Sequence, residues 1–114
     1  FHVVDEDKLI CTLYQRSADV GLGLPFNIAS YSFLTHILAH HCGLKAAELI
    51  HFVGNAHIYE EHIEPLKLQL EYEPELFPTL RIKEKRENID DYQVEDFVIS
   101  GYVSNKKINM KMRA

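Results

Sequence analysis

Cysteine is scarce in this chain. Only Cys11 and Cys42 occur, Cys11 inside an apolar run and Cys42 at the end of a helical stretch. Two thiols in 114 residues make no disulfide framework, which points to a reducing compartment, the cytoplasm. Long apolar runs are missing as well. No stretch approaches the roughly 20 residues a membrane-spanning helix needs. The opening FHVVDEDK has neither the charged nor the apolar region of a secretory signal. Basic residues are also short, 12 Lys and Arg against 17 Asp and Glu, for a net charge of -5. Binding a phosphate backbone wants a basic face, so nucleic acid is not required as a partner. The one basic cluster, RIKEKR at 81–86, is interrupted by Glu84 and reads as a solvated strand end.

Apolar residues make up 46% of the chain, enough for a packed core and too many for disorder. The length fits one modest domain, or part of a larger one. Residues 8–16 alternate as a strand, with Leu9, Cys11 and Leu13 on one face. A loop over 17–24 carries Gly21 and Gly23, and Pro25 suits the first turn of a helix. That helix runs to Cys42 and stops at Gly43. It is apolar nearly all round, so it is expected to be central and buried. Residues 48–53 read as a strand closed by Gly54, and 56–72 as a helix broken near Pro65. Strands are expected again at 79–83 and 97–103, with a polar helical turn at 91–96 between them. Helices and strands alternate without a linker, so the class is α/β or α+β, with 1–114 as one unit.

The richest chemistry lies in Tyr14 to Tyr31, YQRSADVGLGLPFNIASY. Arg16 offers a planar fork of donors that matches two phosphate oxygens, and the Ser17 hydroxyl adds another. The glycines after them let backbone approach a ligand, although no Gly-Lys-Ser or Gly-Lys-Thr follows, so a nucleoside triphosphate is not indicated. Asn27 either caps the helix or pairs with a ring that shows a carbonyl beside an N–H. An aspartate there would suit an amino-substituted ring. His57 and Tyr59 are two apart, which in extended backbone puts both on one face, suited to a sugar hydroxyl. His36 and His40 have a metal-ligand spacing, but Ile37 stands where the HExxH motif needs glutamate, so no metal is expected. Both cysteines read as structural.

These motifs resemble thymidylate synthase in order and spacing: YQRS, Asp19, GLG, LPFNIASY, LTH, GNAHIY, the run His62 to Lys67, FPTL and the closing MKM. The likeness covers essentially the whole chain as the C-terminal part of that protein, in some lineages fused to dihydrofolate reductase. It implies a mixed sheet with a long central buried helix, here the C-terminal half only. It implies reductive methylation of dUMP to dTMP, with 5,10-methylenetetrahydrofolate as co-substrate and dihydrofolate as product. Arg16 and Ser17 would hold the dUMP phosphate, Asn27 the uracil, and His57 and Tyr59 the deoxyribose. Asp19 would bond the pterin with its backbone near the pyrimidine, in a supporting catalytic role. Leu22, Gly23 and Phe26 would line the folate side, and the residues about Arg113 would close over it as a lid. The family is a homodimer that takes site arginines from the second subunit.

The nucleophilic cysteine of the family would lie upstream of Phe1. The chain starts in mid-strand and without Met, so its numbering is expected to begin inside a longer protein. Asn55 stands where the family usually has aspartate, Glu61 replaces a usual asparagine, and Arg113 a usual alanine. A uracil hydroxymethylase on the same scaffold, or a non-catalytic truncated remnant, are the alternatives. A polypeptide of these 114 residues alone is expected to form no dTMP; turnover in a coupled spectrophotometric assay would place a working nucleophile inside it.

Overall fold

The computed structural model describes residues 1–112. A short hairpin opens the chain, β1 (His2–Val4) antiparallel to β2 (Lys8–Asp19). Its turn takes positive φ at Asp5 (48°) and Glu6 (66°), and Lys8 reaches back to the Asp5 carboxylate at 2.8 Å. The helix α1 (Gly23–Cys42) then carries the chain back to β3 (Lys45–His57), which lies parallel to β2. The sheet order is β1-β2-β3. The rest is a 3₁₀ turn (Glu60–His62), the short helix α2 (Ile63–Gln69), and an antiparallel pair β4 (Thr79–Ile82) and β5 (Phe97–Ser100). Two further 3₁₀ turns, Ile89–Asp91 and Val94–Asp96, link that pair. The chain is thus mixed α and β, as the alternation of patterns implies. No helix among the described residues is long and apolar enough to cross a membrane.

Several element ends differ from the sequence reading. The strand at 8–16 continues through Ser17 and Ala18 to Asp19, because those residues keep pairing with β3 as Ser17↔Asn55, Ala18↔Ala56 and Asp19↔His57. Gly54 lies inside β3 and does not close it. A Cβ there would stand 2.7 Å from the Tyr14 hydroxyl and 2.9 Å from the Arg16 carbonyl, so the glycine makes room for close backbone and tyrosine approach. Pro65 sits in the first turn of α2, where its missing N–H has no intrahelical partner to lose, so it does not break the helix. The last two strands end at Ile82 and Ser100. Gly43 does stop α1: at φ 71° its N–H reaches the His40 carbonyl, and the Leu44 N–H reaches Ala39, a Schellman cap.

The apolar core is small: Leu9, Ile10, Cys11, Ala18 and Ala39 are its buried members. The helix α1 lies on β2 and β3 but is not enclosed. Only Thr35 and Ala39 on it are buried, and Phe26 is 73% exposed. An all-apolar circumference predicts burial on every side, and this chain covers one. The opposite face of the sheet is bare too. Tyr14 stands directly across from Phe52, and both are exposed, at 72% and 57%.

The β4–β5 pair is fastened to the helix by Phe33 against Phe97, ring centres 4.7 Å apart. Its connection is braced by one buried acid. Asp96 takes Arg86 Nη2 at 2.5 Å and Nε at 3.0 Å, and also accepts the Gln93 N–H at 2.8 Å. Arg86 first, then that N–H, holds the Asp96 carboxyl below the usual carboxylate range. A carboxyl depressed by folding stabilises the fold above its unfolded pKa, and that contribution is lost as pH falls through the depressed value. Asp96→Asn is therefore expected to lower Tm by several degrees at neutral pH and to flatten the acid limb of a Tm-against-pH curve, read by circular dichroism.

Candidate active site

Parallel pairing brings the carboxyl ends of β2 and β3 side by side, with Ser17, Asp19 and His57 on neighbouring rungs. The N-terminus of α1 starts four residues after Asp19, and Leu22 caps it with no side-chain bond. Strand ends of this kind, facing a helix N-terminus, are where open parallel sheets hold ligands. Asp19 Oδ1 accepts the Gly21 N–H at 2.9 Å and so shapes the turn into the helix. Gly23 lies against both Asp19 and Asn27: a Cβ there would be 3.4 Å from the Asp19 Cβ and 3.8 Å from Asn27 Oδ1.

Asn27 does not cap the helix. Its Oδ1 accepts Gln15 Nε2 at 2.9 Å, and Gln15 Oε1 in turn faces His51 Nε2 at 2.9 Å. An amide oxygen only accepts, so His51 Nε2 carries the proton, which fixes the Gln15 amide with its NH₂ toward Asn27. The same NH₂ also bonds the Ser17 carbonyl at 2.9 Å. Among the described residues Asn27 is left with a free NH₂ and one unused lone pair on its oxygen. That is a donor beside an acceptor, complementary to a carbonyl beside an N–H.

His57 and Tyr59 meet edge to face, ring centres 5.3 Å apart, at the end of β3 and just beyond it. His57 Nδ1 lies 3.2 Å from Asn55 Oδ1. That oxygen also only accepts, so Nδ1 donates and Nε2 is left with a lone pair for a hydroxyl. Tyr59 stacks edge-on against His62 at 5.6 Å, and His62 faces Asp19. One continuous set of contacts thus links His57, Tyr59, His62 and Asp19.

Arg16 stands apart from this set. Strand alternation sends Ser17 and Asp19 to the helix side and Arg16 to the open side with Tyr14. Among the described residues its guanidinium has no ion pair or hydrogen bond. Leu22 and Phe26, with Gly21 and Pro25, form one wall of a cleft of about 910 Å³. The far wall comes from Tyr72, Pro74, Tyr102, Lys107 and Met110. Gly23 faces Asp19 and Asn27, away from that cleft. Arg113 lies outside the described residues. Among the described residues no group of three or more His, Cys, Asp and Glu is placed to hold a metal ion. Cys11 and Cys42 are both free thiols, the first buried and the second exposed.

The sequence model of thymidylate synthase matches residues 1–114. The chain belongs to the thymidylate synthase family. It is 57% identical to human thymidylate synthase over 98% of its length, and 54% identical to thymidylate synthase of equine herpesvirus 2 over 92%. It is also 54% identical over its whole length to the bifunctional dihydrofolate reductase-thymidylate synthase of Plasmodium berghei. It spans 36% of the human relative and 19% of the bifunctional one.

Gln15, His51 and His62 carry much of this arrangement, and the sequence reading gave none of them a role. Gln15 had a usable signal: a polar residue on the inward face of a strand, in step with Leu13. His51 and His62 had none, since their partners lie 36 and 49 residues away. Gln15→Leu removes the bond that orients Asn27 and leaves His51 unpartnered. It is expected to lower the melting temperature by a few degrees, the worth of one partly buried hydrogen bond, measured by circular dichroism.

Proposed function

We propose that residues 1–114 are the C-terminal part of a thymidylate synthase domain, and that the full-length protein is a methyltransferase converting dUMP to dTMP. Its one-carbon donor is 5,10-methylenetetrahydrofolate, released as dihydrofolate. The observation that carries this reading is Asn27, held by Gln15 at the mouth of the paired strands with its NH₂ and one oxygen lone pair still available. That edge suits uracil and does not suit cytosine, whose amino group would meet the Asn27 NH₂ donor to donor. His57, with its Nε2 lone pair, and Tyr59 take the deoxyribose hydroxyl. Ser17 and Arg16 take the phosphate. Arg16 reaches it from the open side of the sheet, where a group without a partner of its own is available for an anion.

Asp19 supports the chemistry through the pterin and, by its backbone, the pyrimidine. Leu22 and Phe26 supply the apolar wall for the folate, Gly23 lets the ligand approach the helix start, and Arg113 serves folate binding. Closing such a cleft excludes water from reactive intermediates. The nucleophile is a cysteine upstream of Phe1. Its thiolate adds to C6 of the uracil and makes C5 nucleophilic toward the folate carbon. The protein acts as a cytoplasmic homodimer that shares site arginines between subunits. The bare face around Tyr14 and Phe52 supports that, because parallel strands are stable when both faces are covered. No step calls for a metal ion.

Asn27→Asp in the full-length protein tests the assignment. A carboxylate in place of the amide is expected to cut kcat/KM for dUMP by about a hundredfold, as the amide's donor is lost. It should also raise turnover of dCMP, followed by chromatography of the products. An unchanged preference for dUMP would remove Asn27 from pyrimidine recognition.

A further inference from the structure

His62 is the one large side chain of the described residues that is wholly buried, with 0% exposure. It is also polar, and nothing in the roles above uses it. Its Nε2 lies 2.7 Å from the Lys111 carbonyl, which only accepts, so Nε2 carries a proton and donates. Its Nδ1 is buried, has no hydrogen-bond partner among the described residues and stands 3.5 Å from Asp19 Oδ1. The ring is wedged in place. A Cβ at Gly21 would come within 2.5 Å of Nδ1 and 3.3 Å of the Met110 sulfur, so the glycine turn, the ring and the tail residue are packed against one another. Tyr59 closes the remaining side, edge-on.

This placement joins the end of β2 to the C-terminal tail. Asp19 Oδ1 accepts the Gly21 N–H, and the edge of the buried His62 ring lies against the same oxygen, Nδ1 3.5 Å away, which limits how the carboxylate can turn. The tail at 110–112 is held to the same ring through Lys111, and Met110 forms part of the wall facing Leu22 and Phe26. We infer that His62 is a positioning residue: it ties the seating of the C-terminal tail to the orientation of the Asp19 carboxylate, so that a folate-binding wall and a folate-binding acid are set by one imidazole.

The inference rests on the thymidylate synthase reading, and two experiments on the full-length protein separate its failure from the failure of that reading. In steady-state kinetics, His62→Ala is expected to raise KM for the reduced folate about tenfold while KM for dUMP stays within about twofold. His62→Gln keeps an N–H that can reach the Lys111 carbonyl and should recover most of that loss. A purely structural role would move both KM values together or neither, and either result overturns the inference. If the alanine variant does not fold, ¹⁵N NMR of the imidazoles in the unmutated protein decides. The His62 Nε2–H should resist exchange with water, and truncation after Ile108 should abolish that protection. Free exchange in the intact protein, or protection that survives truncation, overturns the inference. An unmutated protein that makes no dTMP would instead sink the proposed reaction, while the NMR result would still decide the coupling of tail to Asp19.

Discussion

Asp19 stands beside His57 only because β2 and β3 run parallel over a long register, Tyr14↔Phe52 through Asp19↔His57. Antiparallel strands would put the two residues at opposite ends of the sheet. Parallel pairing needs a crossover, and α1 supplies it in one element. The same helix therefore begins at the strand ends where the ligand groups gather and finishes at the far edge, where Gly43 turns the chain back into β3. The register shift between Leu9 and Ile10 lies at that far end. Whatever it adjusts, the rungs at Ser17 and Asp19 stay in step with Asn55 and His57.

The site built on this frame uses orientation more than charge. Each of three histidines faces an oxygen that can only accept: His51 the Gln15 amide, His57 the Asn55 amide and His62 the Lys111 carbonyl. In each ring that settles which nitrogen holds a proton, and so what the other can do. Asn55 fits this pattern, because its amide oxygen fixes the His57 ring without placing a full negative charge beside it. The ion pair between Arg86 and Asp96 does the opposite work away from the site, bracing the β4–β5 connection against α1.

Much of this was legible in the residues. The helix, its glycine stop, the strand around Cys11 and the approach of His57 to Tyr59 all follow from local pattern. The errors share a cause. The strand end at Asp19, the continuation of β3 through Gly54, and the tolerance of Pro65 depend on hydrogen bonds to distant segments or on which turn of a helix a residue occupies. Glycine and proline mark breaks only when nothing else holds the backbone. The bonds of His51 and His62 are invisible for the same reason, since a lone histidine carries no sign of a partner dozens of residues away. The expected enclosure of α1 went wrong differently: its composition describes an environment that these residues supply on one side only.

The bare faces have a thermodynamic consequence. With so few apolar residues buried, the fold as described removes little hydrocarbon from water, and the heat-capacity change of its own unfolding is correspondingly modest. The hydrocarbon of Tyr14, Phe52 and Phe26 leaves water only when another surface covers it. The large heat-capacity change then belongs to that covering step. Where such a surface is present, temperature acts chiefly through that contact.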